Sequence, residues 1–443
     1  MTVVIVGGGI AGILSALILK QKFETVYLIE KESELGGLLR SFENENGISF
    51  DYGTHLLRDT GVEKLDQLLY GEFDPKKWQK IGNLKGGGYF GSKYNGKTAF
   101  LDARLLPENI YNKGIVELLN SSDPSKEYLN LDEELRGTFG DTFTKYIFQP
   151  ILERKYFGCD LKELVAGSHN YFQLGRLIGL TAQATREVKK SNIFDKKFAF
   201  HSYNEGVSNL SNYYPISGGI GQWIKELNKK MLDMGIFVLT GNYVKKIIHK
   251  NSVINKIILN NGTLLDCEYL VWTIPVLPCI KACNLSLPIQ TDPPIRLNTI
   301  LLHMVFDRPF KTDVYYVQCH EADFCTFRIT LYPNLQKSPN NSNYNLTVEV
   351  ISKDIPDLKF MLKTIQRELL EIGIVEPESN LIYHKIDIVK AGFPLMTHQF
   401  ITDAQTQLSY IQEKLQNATF FGKGAGSHFL MNQVLVDVYE QLL

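Results

Sequence analysis

The amino end of the chain holds residues whose types and spacing suit the binding of a dinucleotide. Gly7-Gly8-Gly9-Ile10-Ala11-Gly12 has the G-x-G-x-x-G spacing. At these positions Gly7 permits a tight turn, Gly9 lets the backbone approach a pyrophosphate, and Gly12 lets a helix pack close to a strand. Ile10 and Ala11 lie between those glycines, just ahead of a helix whose free N–H groups and positive dipole end would face the phosphates. Glu30 follows at the distance where a carboxylate binds ribose hydroxyls, with Lys31 beside it. Leu35-Gly36-Gly37-Leu38-Leu39-Arg40-Ser41 then adds a glycine pair and an arginine. NAD needs neither. Both suit FAD, whose pyrophosphate and ribityl chain run along a second backbone segment.

Such residues need a scaffold. Val3-Val4-Ile5-Val6 is β-branched and apolar throughout, which predicts a strand buried on both faces of a parallel sheet. Ile13 to Lys20 reads as a helix, and Thr25 to Ile29 as a second strand ending on Glu30. At about 150 residues per domain, the 443 residues predict roughly three units. The balance of 47 basic and 48 acidic residues, a net charge of −1, argues against a partner such as nucleic acid or an anionic membrane, while leaving room for a local arginine cluster. Apolar residues at 44% and charged residues at 21% describe an ordinary globular protein and exclude collagen, coiled coil and disulfide scaffold. The six cysteines include no C-x-x-C pair, so no metal site is expected, and they read as reduced thiols of a cytoplasmic protein. Glycines interrupt the apolar start, so no secretory leader is expected. No apolar run reaches about 18 residues, so no spanning helix is expected either.

Further blocks recur along the chain. Phe50-Asp51-Tyr52-Gly53-Thr54-His55 follows the arginine; Tyr214-Pro215-Ile216-Ser217-Gly218-Gly219 precedes a helix from Ile220. Val238-Leu239-Thr240 and Tyr243-Val244-Lys245-Lys246-Ile247 come next, then Leu270-Val271-Trp272-Thr273-Ile274-Pro275. Thr419 to Gly426 reads as a strand leading into a glycine turn, before a helix from about Met431 to Leu442. Together with the glycine loop, Glu30 and Arg40, these blocks resemble a superfamily of FAD proteins. Its members include flavin amine oxidases, protoporphyrinogen oxidase, phytoene desaturases and UDP-galactopyranose mutase. The resemblance implies that Gly53, Thr54 and His55 run beside the isoalloxazine. It places the backbone at Val244 near the adenine end, and Thr273 in a "T-x-P" return into the cofactor site. It also implies a glycine turn at Gly422, Gly424 and Gly426. Met431, Asn432 and Gln433 then open a helix whose dipole favours a negative flavin. A helix that merely closes the sheet is the alternative. No second G-x-G-x-x-G follows a strand, which argues against a separate NAD(P)H domain.

Two insertions separate the cofactor blocks. The first looks helical after residue 105, and its glycine-dense start, Lys85 to Gly91, suits either a loop near a cleft or a hairpin turn. Phe139-Gly140, Phe148-Gln149-Pro150 and Lys155-Tyr156-Phe157-Gly158 are similar to a mutase-type segment, F-G … P-Y-x-x-K-x-W-G, with phenylalanine in place of tryptophan. Phe157 would stack on a base or sugar, or belong to the core. The second insertion reads as strands at 299–305, 314–317, 324–331 and 344–351. Arg328 lies among alternating apolar residues; in mutase-like relatives a comparable arginine holds a diphosphate, and a guanidinium grips phosphate bidentately. A solvent-facing strand residue is the other reading. Arg176 is a second, weaker candidate. Phe393-Pro394 looks like the family's Y-P, without the hydroxyl.

The resulting expectation is an α/β protein: a discontinuous Rossmann-type FAD-binding domain with a mixed helical and β-sheet substrate domain. The first would comprise 1–83, 213–275 and 401–443, the second 84–212 and 276–400. His55 is the titratable group expected at the flavin, as proton donor, acceptor or hydrogen-bond partner, with His428 a further candidate. The expected activity is oxidation of a small-molecule substrate, such as a sugar nucleotide or an amine, by hydride transfer to flavin N5. A non-redox mutase acting on a nucleotide sugar is the alternative. A flavin-free binding protein, like the dissociation inhibitors of guanine-nucleotide proteins, is a third class.

Overall fold

Val3, Val4, Ile5 and Val6 are at most 4% exposed, so the strand Thr2–Val6 is covered on both faces. The computed structural model describes residues 1–443 apart from 122–125, 288–294, 337–343, 423–427 and 429. In it this strand is central to a five-stranded parallel sheet, ordered Phe237–Leu239, Thr25–Ile29, Thr2–Val6, Tyr269–Trp272, Ala418–Phe420. Helix Ile10–Leu19 is buried from Ala11 onward. Gly12 allows that closeness, since a Cβ there would stand 1.9 Å from the Gly7 carbonyl oxygen. Val4, Val6, Leu270 and Trp272 join Ile257, Ile280 and Ile411 in one apolar cluster.

The chain divides into two compact units, Met1–Lys80 with Leu210–Pro293 and Gln399–Leu443, and Ile81–Asn209 with Pro294–His398. The first unit runs past the expected boundary at 275, because helix Val276–Ala282 buries Val276, Cys279 and Ile280 in the cluster that backs the sheet. The segments quoted at 238–240 and 243–247 belong to different sheets. Phe237–Leu239 joins the parallel sheet, whereas Val244–Lys250 pairs antiparallel with Val253–Leu259. Gly241, at φ +68°, turns the chain between them.

In the second unit, seven strands run in the order Leu381–Pro394, Arg296–Phe306, Tyr344–Ser352, Arg328–Leu331, Tyr316–Cys319, Gly86–Phe90, Lys93–Asn95. Ile300, Leu302, Ile329, Val348 and Val350 cover one face with Ile365 and Leu369 of helix Leu358–Ile372. Period-two alternation sends Arg328, Thr330, Thr347, Glu349 and His303 to the other face. The glycine-dense segment is a strand. A Cβ on Gly86 would meet the Tyr316 ring at 2.7 Å, so the glycine makes room for that ring. Helices Glu108–Asn120 and Leu131–Phe139 and a π-helix, Thr144–Phe157, enclose a separate aromatic core. Among the described residues no helix is long and apolar enough to cross a membrane. All six cysteines are unpaired.

One buried acid fastens the first unit. Asp51, 0% exposed, closes strand Ser49–Asp51. Its Oδ1 accepts from Ser41 Oγ (2.6 Å) and the Ile220 N–H (2.9 Å), and Oδ2 from the Tyr214 hydroxyl (2.7 Å). Burial outweighs these bonds and raises its pKa from 3.8 to about 6. The folded chain therefore holds the proton more tightly than the unfolded one. That contribution is complete below 3.8 and is lost as pH rises through about 6. In Asp51→Asn the amide oxygen can still accept from Ser41 and Ile220, while its NH2 donates to Tyr214. Between about pH 4 and about pH 7, the wild type should lose about 2 kcal/mol of stability relative to D51N in urea unfolding. A pH-independent difference between the two would refute the raised pKa.

Candidate functional site

The glycine loop is tightly turned at Gly7 and open at Gly9. Gly7 sits at φ +108° beneath Thr273, whose hydroxyl donates to the Val6 carbonyl at 2.9 Å. A Cβ on Gly9 would meet nothing within 4 Å, so the backbone at the helix entrance is open. No side chain caps the helix, which leaves the first N–H groups, at Ile10 and Ala11, without an intrahelical acceptor. Glu30 accepts from the N–H of Gly8 (2.6 Å) and of Glu32 (2.9 Å), which fixes the acid beside the loop. Lys31 extends into solvent and pairs loosely with Glu32 at 3.5 Å.

The second glycine pair is joined to the first. Gly36 N–H donates to the Gly8 carbonyl at 2.8 Å, and a Cβ on Gly37 would lie 3.9 Å from Gly9 Cα. Leu38 is half-buried and Leu39 buried. Arg40 Nε donates to the Gly37 carbonyl at 2.8 Å, and its guanidinium stands 5.4 Å from the centre of the Tyr52 ring. Gly53, at φ +114°, then turns the chain into Thr54 and His55. His55 Nε2 lies 3.2 Å from the Tyr52 carbonyl oxygen, an acceptor only, which assigns the proton to Nε2.

Other candidates lie in the same unit. Gly422, at φ +82°, comes near Thr273: a Cβ on it would lie 3.6 Å from the Thr273 carbonyl oxygen. Gly424 and Gly426 lie outside the described residues. Helix Met431–Leu442 begins where the sequence indicates. Asn432 Nδ2 donates to the Asp59 carbonyl at 3.1 Å, and Gln433 Oε1 accepts from the Leu430 N–H at 3.4 Å. His428 Nε2 lies 3.7 Å from Asp437. Val244 opens the antiparallel sheet and packs on its apolar cluster.

In the second unit the candidates are rearranged. Arg328 is part-buried, its side chain 23% exposed. It stands in register with Glu349, and its Nε and Nη2 donate to Oε1 and Oε2 at 2.8 and 2.9 Å. Burial alone would lower its pKa, but the Glu349 charge and hydrogen bonds outweigh it and hold the guanidinium above the usual arginine range. Arg176 is a surface residue, 3.4 Å from an Asp195 that also pairs with Lys189. Phe157 is 2% exposed, edge-on to Phe172 at 5.1 Å, so the core claims it and no ring face is left for a base. Phe393 packs against Phe172 as well.

Three residues escaped the motif reading. Asp51 lay inside a quoted block without a role; an acid amid Phe50 and a strand's apolar surroundings was its signal. Glu349 interrupts Leu346-Thr347-Val348 and Val350-Ile351 in the same way. Tyr316 accepts from Gln173 Nε2 at 3.2 Å, and burial raises its pKa; nothing local marks it.

Comparisons with known proteins agree with this geometry. Residues 5–69 match the family described as an NAD(P)-binding Rossmann-like domain. The 4,4'-diapolycopen-4-al dehydrogenase of Metabacillus indicus is 26% identical over 275 residues, covering 59% of this chain and 53% of that protein, so the match spans about half its length. Reduced UDP-galactopyranose mutase superposes with a TM-score of 0.78 at 15% identity, over 100% of this chain and 94% of that one. An Exiguobacterium sp. protein named as a protoporphyrinogen oxidase superposes at 0.68 and 14% identity, over 100% and 97%. Residues 5–69 are thus similar to an NAD(P)-binding Rossmann-like domain, and the chain as a whole has the fold that this mutase and the Exiguobacterium protein share.

Proposed function

We propose that the chain is an FAD-dependent oxidoreductase whose small-molecule substrate gives a hydride to flavin N5. The observation that carries this reading is the union of the two glycine segments: Gly36 bonded to Gly8, Gly37 beside Gly9, and Arg40 bonded to Gly37. A nicotinamide site needs only the first segment; a flavin dinucleotide uses both. The residues fit that group, because Gly9 leaves open space where Gly12 leaves none. In this reading the N–H groups of Ile10 and Ala11 and the Arg40 guanidinium bind the pyrophosphate, and Glu30 binds the ribose. Gly53, Thr54 and His55 supply contacts to the ring system. Bound flavin supplies the hydride acceptor; the protein orients substrate and shapes the electrostatics. His55 carries its proton at Nε2, held by the Tyr52 carbonyl. The unpaired cysteines support a reducing, cytoplasmic setting.

A mutase reading draws on the 0.78 TM-score over the whole chain. Against it stands the buried Phe157. Anaerobic reduction with dithionite followed by UDP-galactopyranose decides: furanose product would establish the mutase. Bleaching of the oxidised flavin by a substrate, without dithionite, would establish the oxidoreductase.

The purified protein should be yellow and release FAD on denaturation; a colourless protein that takes up no FAD would end both flavin readings. Gly9→Ala should keep stability within about 1 kcal/mol while FAD affinity falls at least roughly tenfold. Gly12→Ala, with its Cβ against backbone, should lose about 3 kcal/mol or more in urea unfolding. Arg40→Ala should also weaken FAD retention, read by equilibrium dialysis of refilled protein; unchanged affinity would misplace the pyrophosphate.

A further inference from the structure

An arginine side chain is long and rotates freely, so one that binds a phosphate at a set place needs to be held. Arg40 is held twice. Its Nε–H donates to the Gly37 carbonyl at 2.8 Å, and among the described residues its two terminal nitrogens meet no acceptor. That leaves for a ligand the edge between them, which grips phosphate bidentately. The second hold is Tyr52, whose ring lies against the guanidinium with its centre 5.4 Å from the guanidinium carbon, a cation–π contact. Register builds the pair into the fold. Strands Ser41–Glu43 and Ser49–Asp51 run antiparallel with Ser41 opposite Asp51. One step further along, Arg40 stands opposite Tyr52, whose N–H donates to the Arg40 carbonyl at 3.4 Å. Opposed residues of neighbouring strands bring their side chains together on one face. Phe42 and Phe50 share that face, stacked at 5.4 Å, and Phe42 meets the Tyr52 ring edge-on at 6.0 Å. The Tyr52 ring is thus backed by one aromatic side chain while it backs Arg40. Ser41 and Asp51 point to the opposite face, so one short ribbon serves the buried acid on one side and Arg40 on the other.

We propose that Tyr52 is a positioning residue for the dinucleotide: its ring fixes the plane of the Arg40 guanidinium, so that the terminal nitrogens are set for the pyrophosphate before the cofactor arrives. A guanidinium already fixed loses less freedom on binding an anion, which is how preorganised sites gain affinity. Tyr52 acts through Arg40. The proposal rests on reading Arg40 as the pyrophosphate ligand of FAD.

A double-mutant cycle on the full-length protein tests it, with FAD affinity read by equilibrium dialysis after flavin removal. Tyr52→Leu should raise the Kd for FAD at least roughly threefold, while Tyr52→Phe, which keeps the ring, should stay within about twofold of the wild type. In an Arg40→Ala background, Tyr52→Leu should weaken binding no further, because a ring that acts through the guanidinium has nothing left to hold. A Tyr52→Leu loss of the same size with and without Arg40 would overturn the proposal, since the ring would then serve the cofactor or the fold directly. Unchanged affinity in Tyr52→Leu would overturn it as well, as would a Tyr52→Phe loss equal to that of Tyr52→Leu, which would assign the effect to the hydroxyl. If Tyr52→Leu does not fold, Tyr52→Met, also without a ring face, takes its place in the cycle with the same two outcomes. Unchanged FAD affinity in Arg40→Ala alone would refute the pyrophosphate reading and the proposal with it. A weakened Arg40→Ala that shows no coupling to Tyr52 would overturn the proposal and leave that reading standing.

Discussion

A carboxylate buried in an apolar strand must find hydrogen-bond donors, and Asp51 finds them on stretches of chain far apart in sequence. Ser41 lies on the strand it pairs with, while Tyr214 and Ile220 belong to the middle piece of the first unit. Two glycines let these groups meet. A Cβ on Gly219 would fall 2.4 Å from Asp51 Oδ1, and one on Gly221 would fall 2.8 Å from the Ser41 amide nitrogen. Helix Gly221–Asp233 is anchored at its start by this arrangement, its Gly221 N–H donating to Ser41 Oγ at 2.7 Å. The helix in turn backs the second glycine pair, since a Cβ on Gly36 would press on Ile224 at 3.0 Å. Gly36 then holds Gly8. The geometry of the dinucleotide loop is therefore inherited, contact by contact, from an acid some forty residues away. Buried polar networks of this kind specify one arrangement because partial satisfaction is so unfavourable.

The amino-terminal glycine loop was legible because its parts are local. Strand Thr25–Ile29 matches its expected bounds, and helix Ile10–Leu19 begins three residues before the expected Ile13. The glycine spacing encodes a turn and a close approach that need no knowledge of distant residues. The sheet of the second unit was only half legible. Four of its strands were expected near their observed places, but Leu381–Pro394 was not. That strand is at the sheet's edge and carries Lys385, Asp387 and Lys390, which blunt the apolar signal that marks inner strands. The Arg328–Glu349 pair was hidden for a related reason. Each residue was visible as a charge in an apolar strand, yet only register says that they face each other.

The same register gives the second sheet two characters. Its apolar face is covered by helix Leu358–Ile372, whereas the polar face arranges Thr330, Thr347 and His303 across three strands. His303 Nδ1 and Thr347 Oγ1 are 2.9 Å apart, and Nε2 lies 3.4 Å from Asp387. Burial lowers the His303 pKa despite that carboxylate, which keeps the imidazole neutral near pH 7. Polar groups enclosed this thoroughly are poor candidates for adaptable recognition.

The interleaving of the two units has a consequence for synthesis. Strand Ala418–Phe420 completes the parallel sheet whose centre is Thr2–Val6, while the second unit closes with residues up to His398. As the chain leaves the ribosome, Thr2–Val6 must wait for its neighbour Tyr269–Trp272, and that strand in turn for Ala418–Phe420, so contacts of very long sequence separation delay completion. During that interval Tyr269–Trp272 presents an unpaired apolar edge, a surface that chaperones bind and that aggregation exploits.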